Sequence, residues 1–248
     1  MKDNKGISRT ALILIIVLVL VIGAISVVLV MNKDNNENNV QSGNTNQNNK
    51  VTNNNQEQID SNVSNDEISL QSLLNHKASP ESDFFCTEDG NGGIVLQQYE
   101  GNDEIVVIPE TYRGIPIVST LKFTFANSKP IKALKYPNNL KEVAEANCTQ
   151  NKNLEIVVLG NNVQTINKSA FMGCENLKTV ILNEGLKTIG EFAFGSCYNL
   201  KSIYIPESVT NIHFTAFNLH HEDFVIEGKS GSVAETYAKE NNITFVAK

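Results

Sequence analysis

Four histidines and four cysteines are the side chains of this 248-residue chain best suited to hold a metal or act as nucleophiles, and their spacing argues against both uses. His220-His-Glu-Asp223 is the one cluster of ligand-type residues; His76 and His213 stand apart from it. Adjacent strand residues point to opposite faces, and no other histidine lies at zinc-ligand spacing. The cluster therefore reads as a solvated loop, with no metal and no cofactor expected. Cys174 and Cys197 occupy the same place in two like segments 23 residues apart. If such segments stack, their backbones come about 5 Å apart, which suits a disulfide or a pair of small buried thiols. The thiols are the simpler reading, and neither Cys86 nor Cys148 has the setting of a reactive thiol. There is no P-loop, no pocketed carboxylate pair and no Ser/His/Asp arrangement, so no catalytic residue is assigned and the chain is read as a non-enzyme.

The segments that would position these residues are copies of one another. Leu154-Glu-Ile-Val-Val-Leu159, Leu177-Lys-Thr-Val-Ile-Leu182 and Leu200-Lys-Ser-Ile-Tyr-Ile205 recur every 23 residues, with weaker copies at Ile131-Lys-Ala-Leu-Lys-Tyr136 and Phe224-Val-Ile226. Val143, Ile166, Ile189 and Ile212 keep the same interval, as do Ala170-Phe171, Ala193-Phe194 and Ala216-Phe217. A fixed period of this length marks a solenoid, in which no unit can bury its apolar face alone and stacked units share one core. Within a unit, Leu177, Val180 and Leu182 recur as apolar and face inward, while Thr179 and Ile181 alternate outward. Phe171, Phe194 and Phe217 are expected to stack as a buried column on the opposite side. Asn153, Asn176 and Asn199 precede the inward residue, where an amide can satisfy turn backbone.

The outward positions form the candidate binding patch. Lys135, Val158, Ile181, Tyr204 and Glu227 share one register, and Ala133, Ile156, Thr179, Ser202 and Val225 share the other. Lys135, Ile156, Val158, Thr179, Ile181, Ser202 and Tyr204 are the predicted contact residues. Contiguous exposed apolar area usually marks a binding surface. The alternative is that β-branched and aromatic residues simply pair well across strands.

The rest of the chain serves these repeats. Residues 1–10 form a short stub carrying Lys2, Lys5 and Arg9, and residues 11–31 are an uncharged run that reaches about 32 Å as a helix, enough to cross a bilayer once. The positive flank predicts a cytoplasmic N-terminus and an exported remainder. A cleaved signal peptide is the competing reading, for which the run is long and Gly23-Ala-Ile-Ser26 a poor cleavage site. Residues 32–79 are an Asn/Gln-rich linker, expected to stay disordered and to span roughly 30 Å through its low-complexity part. A short helix at 65–75 is expected within it, with Ser64 to Glu67 as a capping box and Ile68, Leu70, Leu73 and Leu74 on one side. It could dock on the folded domain or fray.

Residues 80–130 are read as an N-terminal cap: a β-hairpin around Asp89-Gly-Asn-Gly-Gly93, a third strand at Ile105 to Ile108, and an irregular first repeat. Repeats fill 131–227. Residues 228–248 close the stack with a helix capped at Gly231-Ser-Val-Ala-Glu235 and a strand at Ile243 to Val246, so the chain looks complete.

Gly173-Cys-Glu-Asn-Leu-Lys-Thr-Val-Ile-Leu182, Leu186-Lys-Thr-Ile189, Ala193-Phe194, Ser196-Cys-Tyr-Asn-Leu200 and Ile205-Pro206 together resemble the BspA-like leucine-rich repeats of bacterial surface proteins. The resemblance covers roughly residues 84 to 248 and weakens at Ile131 to Gln150, where Asn147-Cys148 replaces Ala-Phe. It implies a mainly-β, curved leucine-rich-repeat stack, a surface location and adhesion or ligand binding. The net charge of −7, or −9 without the first ten residues, carries no basic stripe, which excludes nucleic acid as a partner class. The expectation is a single-pass, outward-facing membrane protein whose repeat domain binds an unknown protein or glycan at the cell surface. The alternative is a non-catalytic structural or regulatory subunit of a cell-envelope complex.

Overall fold

The computed structural model describes residues 68–126 and 131–248. The stub, the apolar run at 11–31, the low-complexity linker and Ser64 to Glu67 lie outside the described residues. Among the described residues no helix is long and apolar enough to cross a membrane.

The described chain opens with α1 (Leu70–Asn75), a 3-10 turn, and strands β1 (Phe84–Glu88), β2 (Ile94–Tyr99), β3 (Ile105–Val107), β4 (Thr111–Tyr112) and β5 (Ile115–Thr120). Each later coil adds two strands: β6 (Ala133–Lys135) and β7 (Glu142–Val143), β8 (Ile156–Val158) and β9 (Thr165–Ile166), β10 (Thr179–Ile181) and β11 (Thr188–Ile189), β12 (Ser202–Ile205) and β13 (Asn211–Ile212). β14 (Val225–Gly228), α2 (Val233–Glu240) and β15 (Thr244–Ala247) complete it.

The 23-residue spacing becomes hydrogen-bonded stacking. β3, β6, β8 and β10 form a parallel sheet in which Val106 pairs with Leu134, Leu134 with Val157, and Val157 with Val180. β12, β14 and β15 form the next parallel sheet, with Ile203 opposite Ile226, and β12 lies against β10. The strand-side ladder is thus divided after β10, between Val180 and Ile203. The second set of periodic residues makes its own parallel sheet, β7–β9–β11–β13, with Val143, Ile166, Ile189 and Ile212 in register. Two strand rows from one repeat wrap the apolar interior between them. The result is a mainly-β repeat solenoid.

The interior is filled as the pattern requires. Leu154, Leu177 and Leu200 are buried, and Phe171, Phe194 and Phe217 stack with centroids 5.3 Å apart and planes within 11° and 7° of parallel. The turns that carry these rings bond coil to coil: the Phe171 N–H donates to Ala193 O and the Phe194 N–H to Ala216 O, each at 2.8 Å. Each of these bonds pairs a buried N–H and a buried carbonyl that would otherwise be costly to bury. Asn176 Nδ2 donates to Lys152 O and Asn199 Nδ2 to Glu175 O, so the asparagine row serves the carbonyl of the preceding coil.

The irregular coil solves its own packing problem. Where Cys148 stands in place of a column phenylalanine, Tyr136 fills the space, packing edge-on between Phe125 and Phe171. Leucine or isoleucine occupies that place in the later coils, at Leu159, Leu182 and Ile205. The phenol cannot be left dry without a partner, and it donates to Asn147 Oδ1 at 2.7 Å. Asn147 Nδ2 in turn donates to Thr120 Oγ1 and Leu121 O.

The ends carry the elements read from the sequence. β1 and β2 pair antiparallel across the glycine-rich loop, where Asp89 Oδ1 accepts from the Asn91 and Gly93 N–H groups. β4 and β5 form a second hairpin, and β5 joins β2 in parallel. At the other end Ser232 caps α2, Glu235 reaches back to the Gly231 N–H, and β15 extends β14. The cap of α1 is Ser69, which accepts from the Ser72 N–H while Ser72 Oγ accepts from the Ser69 N–H.

Candidate binding face on the strand side

The outward residues of β3, β6, β8, β10, β12 and β14 form two rows set by strand register. Val107, Lys135, Val158 and Ile181 align in one row, with Tyr204 opposite Glu227 further along it. Ile105, Ala133, Ile156 and Thr179 align in the other, with Ser202 opposite Val225. The alternation read from the sequence holds on β10 and β12, where Val180 and Ile203 are buried and Ile181 and Tyr204 are 41% and 42% exposed.

It does not hold further upstream. Ile156 and Val158, two of the predicted contact residues, are buried on the outward side, because α1 lies across β3 and β6. Leu73 is wholly buried in one cluster with Val107, Ala133, Ile156 and Val158, and Ile68, Leu70 and Ile105 pack at its margin. The strap after the helix is pinned as well: the Ser79 N–H donates to Val107 O at 2.9 Å, and the Val107 N–H donates to Ser79 Oγ at 3.2 Å. Parallel strands covered on both faces read as continuous apolar runs, and Ile156-Val-Val158 is one. The predicted patch is therefore corrected to Thr179, Ile181, Ser202 and Tyr204, with Lys135 part-buried at the border of the covered half. Lys248 and Glu227 pair at 3.5 Å on its far side.

The groups weighed for chemistry lie away from this face. Cys86, Cys148, Cys174 and Cys197 are all free. The Cys174 thiol donates to Cys148 O at 3.2 Å and the Cys197 thiol to Phe171 O at 3.3 Å, each reaching the preceding coil. Asn151, at the same place one coil earlier, makes the equivalent bond to Phe125 O. Burial pushes the Cys148 and Cys197 thiols up to about 12 and raises Cys174 as well. Burial, then the nearby negative Glu81, pushes Cys86 up to about 11. His220 to Asp223 form a turn, not a strand; His221 Nδ1 accepts from the Asp223 N–H at 3.0 Å, and His220 Nδ1 lies 2.7 Å from His221 O. Among the described residues, no group of three or more His, Cys, Asp and Glu is placed to hold a metal ion.

One surface feature escaped the sequence reading. Phe214 and Leu219 are 72% and 59% exposed, and Leu219 borders a cavity of about 170 Å³ lined also by Met172, Phe192, Gly195, Ser196 and Asn218. Phe192, Ser196 and Leu219 are in the left-handed region, with φ of 52°, 58° and 58°. No single motif announces a backbone turned this way with residues other than glycine. The signal available was positional: Gln150, Gly173, Ser196 and Leu219 recur every 23 residues, and glycine fills one of the four.

Comparison with known proteins bears on the repeats. Residues 104–223 match the BspA type Leucine rich repeat region in six copies, and this stretch of the chain belongs to that family. Among solved structures, the T. pallidum leucine rich repeat protein TpLRR is 22% identical at a TM-score of 0.56, covering 61% of this chain and 71% of its own. A leucine-rich repeat protein from Bacteroides ovatus ATCC 8483 is 26% identical at 0.49, covering 58% of this chain and 45% of its own. A leucine rich cell surface protein from Faecalibacterium prausnitzii A2-165 is 19% identical at 0.44, covering 62% and 51%. The TpLRR likeness shows the fold. No curated protein matches the chain.

Proposed function

We propose that this chain is a membrane-anchored interaction module of the cell surface, binding a protein or glycan through the open part of its strand face. The observation that carries the reading is the placement of Ile181 and Tyr204, two large apolar side chains about two-fifths exposed, outward on successive strands. Thr179 and Ser202 stand beside them with hydroxyls that suit polar contacts at a rim. Aromatic and aliphatic anchors ringed by small polar groups are what interaction surfaces concentrate. The BspA type repeats and the cell-surface description of the F. prausnitzii neighbour support a surface role. The apolar run at 11–31 behind Lys2, Lys5 and Arg9 supports an outward-facing anchor. The β1–β2 hairpin and the α2–β15 pair are read as caps over the two ends of the stack.

A structural subunit of an envelope complex would be expected to offer the segment before the repeats to its neighbours. α1 instead lays its apolar side on β3, β6 and β8, which favours the interaction module.

Ile181→Ser with Tyr204→Ala tests the site. Both are solvent-facing, so circular dichroism and the melting temperature are expected to stay close to wild type, while signals from a glycan array and from envelope-extract pull-downs disappear. Retained signals on the folded double variant would refute the patch. Protease treatment of intact cells tests location: the repeat domain is expected to be cut from the outside, and full protection would exclude the outward orientation.

A further inference from the structure

We infer that Asn91 is a site of spontaneous covalent modification: the backbone nitrogen of Gly92 closes on the Asn91 side chain, expels ammonia, and leaves aspartate or isoaspartate in the β1–β2 loop. Asp89-Gly-Asn-Gly92 holds two dipeptides open to such a ring closure, Asp89-Gly90 and Asn91-Gly92, because glycine has no side chain to hinder its own amide nitrogen. In the sequence the two compete. The folded loop separates them.

The loop is pinned at its base and open at its tip. The Asp89 N–H donates to Gly93 O at 2.9 Å, and Asp89 Oδ1 accepts from the Asn91 N–H at 2.7 Å and the Gly93 N–H at 2.9 Å. Gly93 is buried against Val118, where a Cβ would come within 2.5 Å of a valine methyl. Asn91 and Gly92 are exposed, and nothing lies within 4 Å of where a Gly92 Cβ would stand. Among the described residues, neither the Gly92 N–H nor the Asn91 side-chain amide has a hydrogen-bond partner. The attacking nitrogen and the carbon it attacks are therefore both solvated and unhindered.

The chemistry needs only water. Hydroxide takes the Gly92 N–H proton, and the nitrogen bonds to Asn91 Cγ, closing a five-membered ring. The Cγ–Nδ2 bond breaks, and Nδ2 leaves as ammonia with a proton from water. Water then opens the imide: breaking the new bond from Gly92 N to Cγ gives aspartate, and breaking the original bond from Gly92 N to the main-chain carbonyl carbon gives isoaspartate. One water is consumed and one ammonia released for each conversion.

Closure at Asp89 needs a neutral carboxyl, because a carboxylate offers no leaving group. The Asn91 and Gly93 N–H groups hold that carboxyl below its ordinary range, and closure would also break both bonds. Other asparagines are protected by their partners. Asn147 and Asn151 are buried with their amides bonded, while Asn176 and Asn199 donate to the coil before them and are followed by leucine.

The test incubates the full chain at pH 8, with a synthetic peptide of residues 84–100 as the unfolded reference, and maps both by mass spectrometry after proteolysis. Asn91 is expected to convert about tenfold faster or more than any of the four asparagines just named, with isoaspartate at that position accepted by an isoaspartyl methyltransferase supplied with a labelled methyl donor. A second incubation at pH 5, where more of an ordinary aspartate is neutral, should isomerise Asp89 in the peptide and leave it intact in the folded chain. Asn91→Gln keeps an amide but requires a larger ring, and its loop fragment should stay unmethylated. Asn91 persisting in the folded chain while the peptide converts, or converting no faster than the other four, overturns the inference. Asp89 isomerising in the folded chain at the peptide's rate also overturns it, since the loop would then not distinguish the two dipeptides.

Discussion

Single side chains settle questions that spacing left open. Cys174 and Cys197 sit where a disulfide was one of two readings, yet each thiol is used as a hydrogen-bond donor to the coil before it. Asn151 making the same bond from the same place explains why a small donor, whether thiol or amide, is wanted there. Since the thiolate is the reactive form, and burial holds Cys148 and Cys197 at about 12 and raises Cys174 as well, all three are expected to be inert to a thiol reagent at pH 8. Titration with an aromatic disulfide should find no fast-reacting Cys148, Cys174 or Cys197 in the native protein and all four cysteines after unfolding. Rapid native labelling of any of the three would show that the column opens.

Coils compensate one another, and that is invisible when each is read alone. Asn147-Cys148 looked like a defect in the repeat; against Tyr136 it is a swap, a large residue having moved from the turn to the strand end. Tyr136→Leu is expected to cost about 2–4 kcal/mol, from the void and from an Asn147 Oδ1 left with only the weak Cys148 thiol. Cys148→Phe alone overfills the column and should cost about 1–3 kcal/mol. Combined, they restore the regular pattern, and a denaturant double-mutant cycle should return a total below the sum by about 1 kcal/mol or more. Strict additivity would mean that the two residues do not share one space.

The strands that face the core were legible because their apolar period is strong; the second sheet showed only as a beat of Val143, Ile166, Ile189 and Ile212, since two-residue strands give no alternation to read. α1 was legible as an apolar pattern but not as a cover. Docking depends on what lies opposite, and Ile156-Val-Val158 reads the same whether a helix or a ligand covers it. For that reason Ile156 and Val158 were assigned to an open patch and the extent of the candidate site was misjudged, while Ile181 and Tyr204 were placed correctly as outward.

For the molecule as a whole, acid is the condition expected to loosen it. Backbone N–H groups of Asn91 and Gly93 hold the Asp89 carboxyl below its ordinary range, Lys168 does so for Glu191, and the Gly231 N–H followed by Lys239 does so for Glu235. A lowered folded value means that the stabilisation is fully present above the ordinary carboxyl range near pH 4 and is lost as pH falls through the lowered values. Lys168 is raised by Glu191, so its share persists until the solution passes about pH 10. The thermal midpoint is expected to be level from pH 5 to 8 and to drop below pH 4; a midpoint unchanged at pH 3 would exclude these carboxylates from any role.

Along the outside of the stack the ion pairs join successive coils: Lys122 to Glu145, Lys168 to Glu191, Lys152 to Glu175, Lys178 to Glu155 and Lys132 to Glu104. Each is exposed, screened by salt and of little strength by itself. Their order carries information, because Lys122, Glu145, Lys168 and Glu191 alternate in sign, as do Glu104, Lys132, Glu155 and Lys178. Along these stretches polarity returns after two coils, whereas the interior returns after one, and the alternation stops where Lys201 follows Lys178 and Phe214 follows Glu191. Within those four-residue runs, removing a single coil would keep the hydrophobic seam and set lysine against lysine or glutamate against glutamate, whereas removing two would keep both seam and sign.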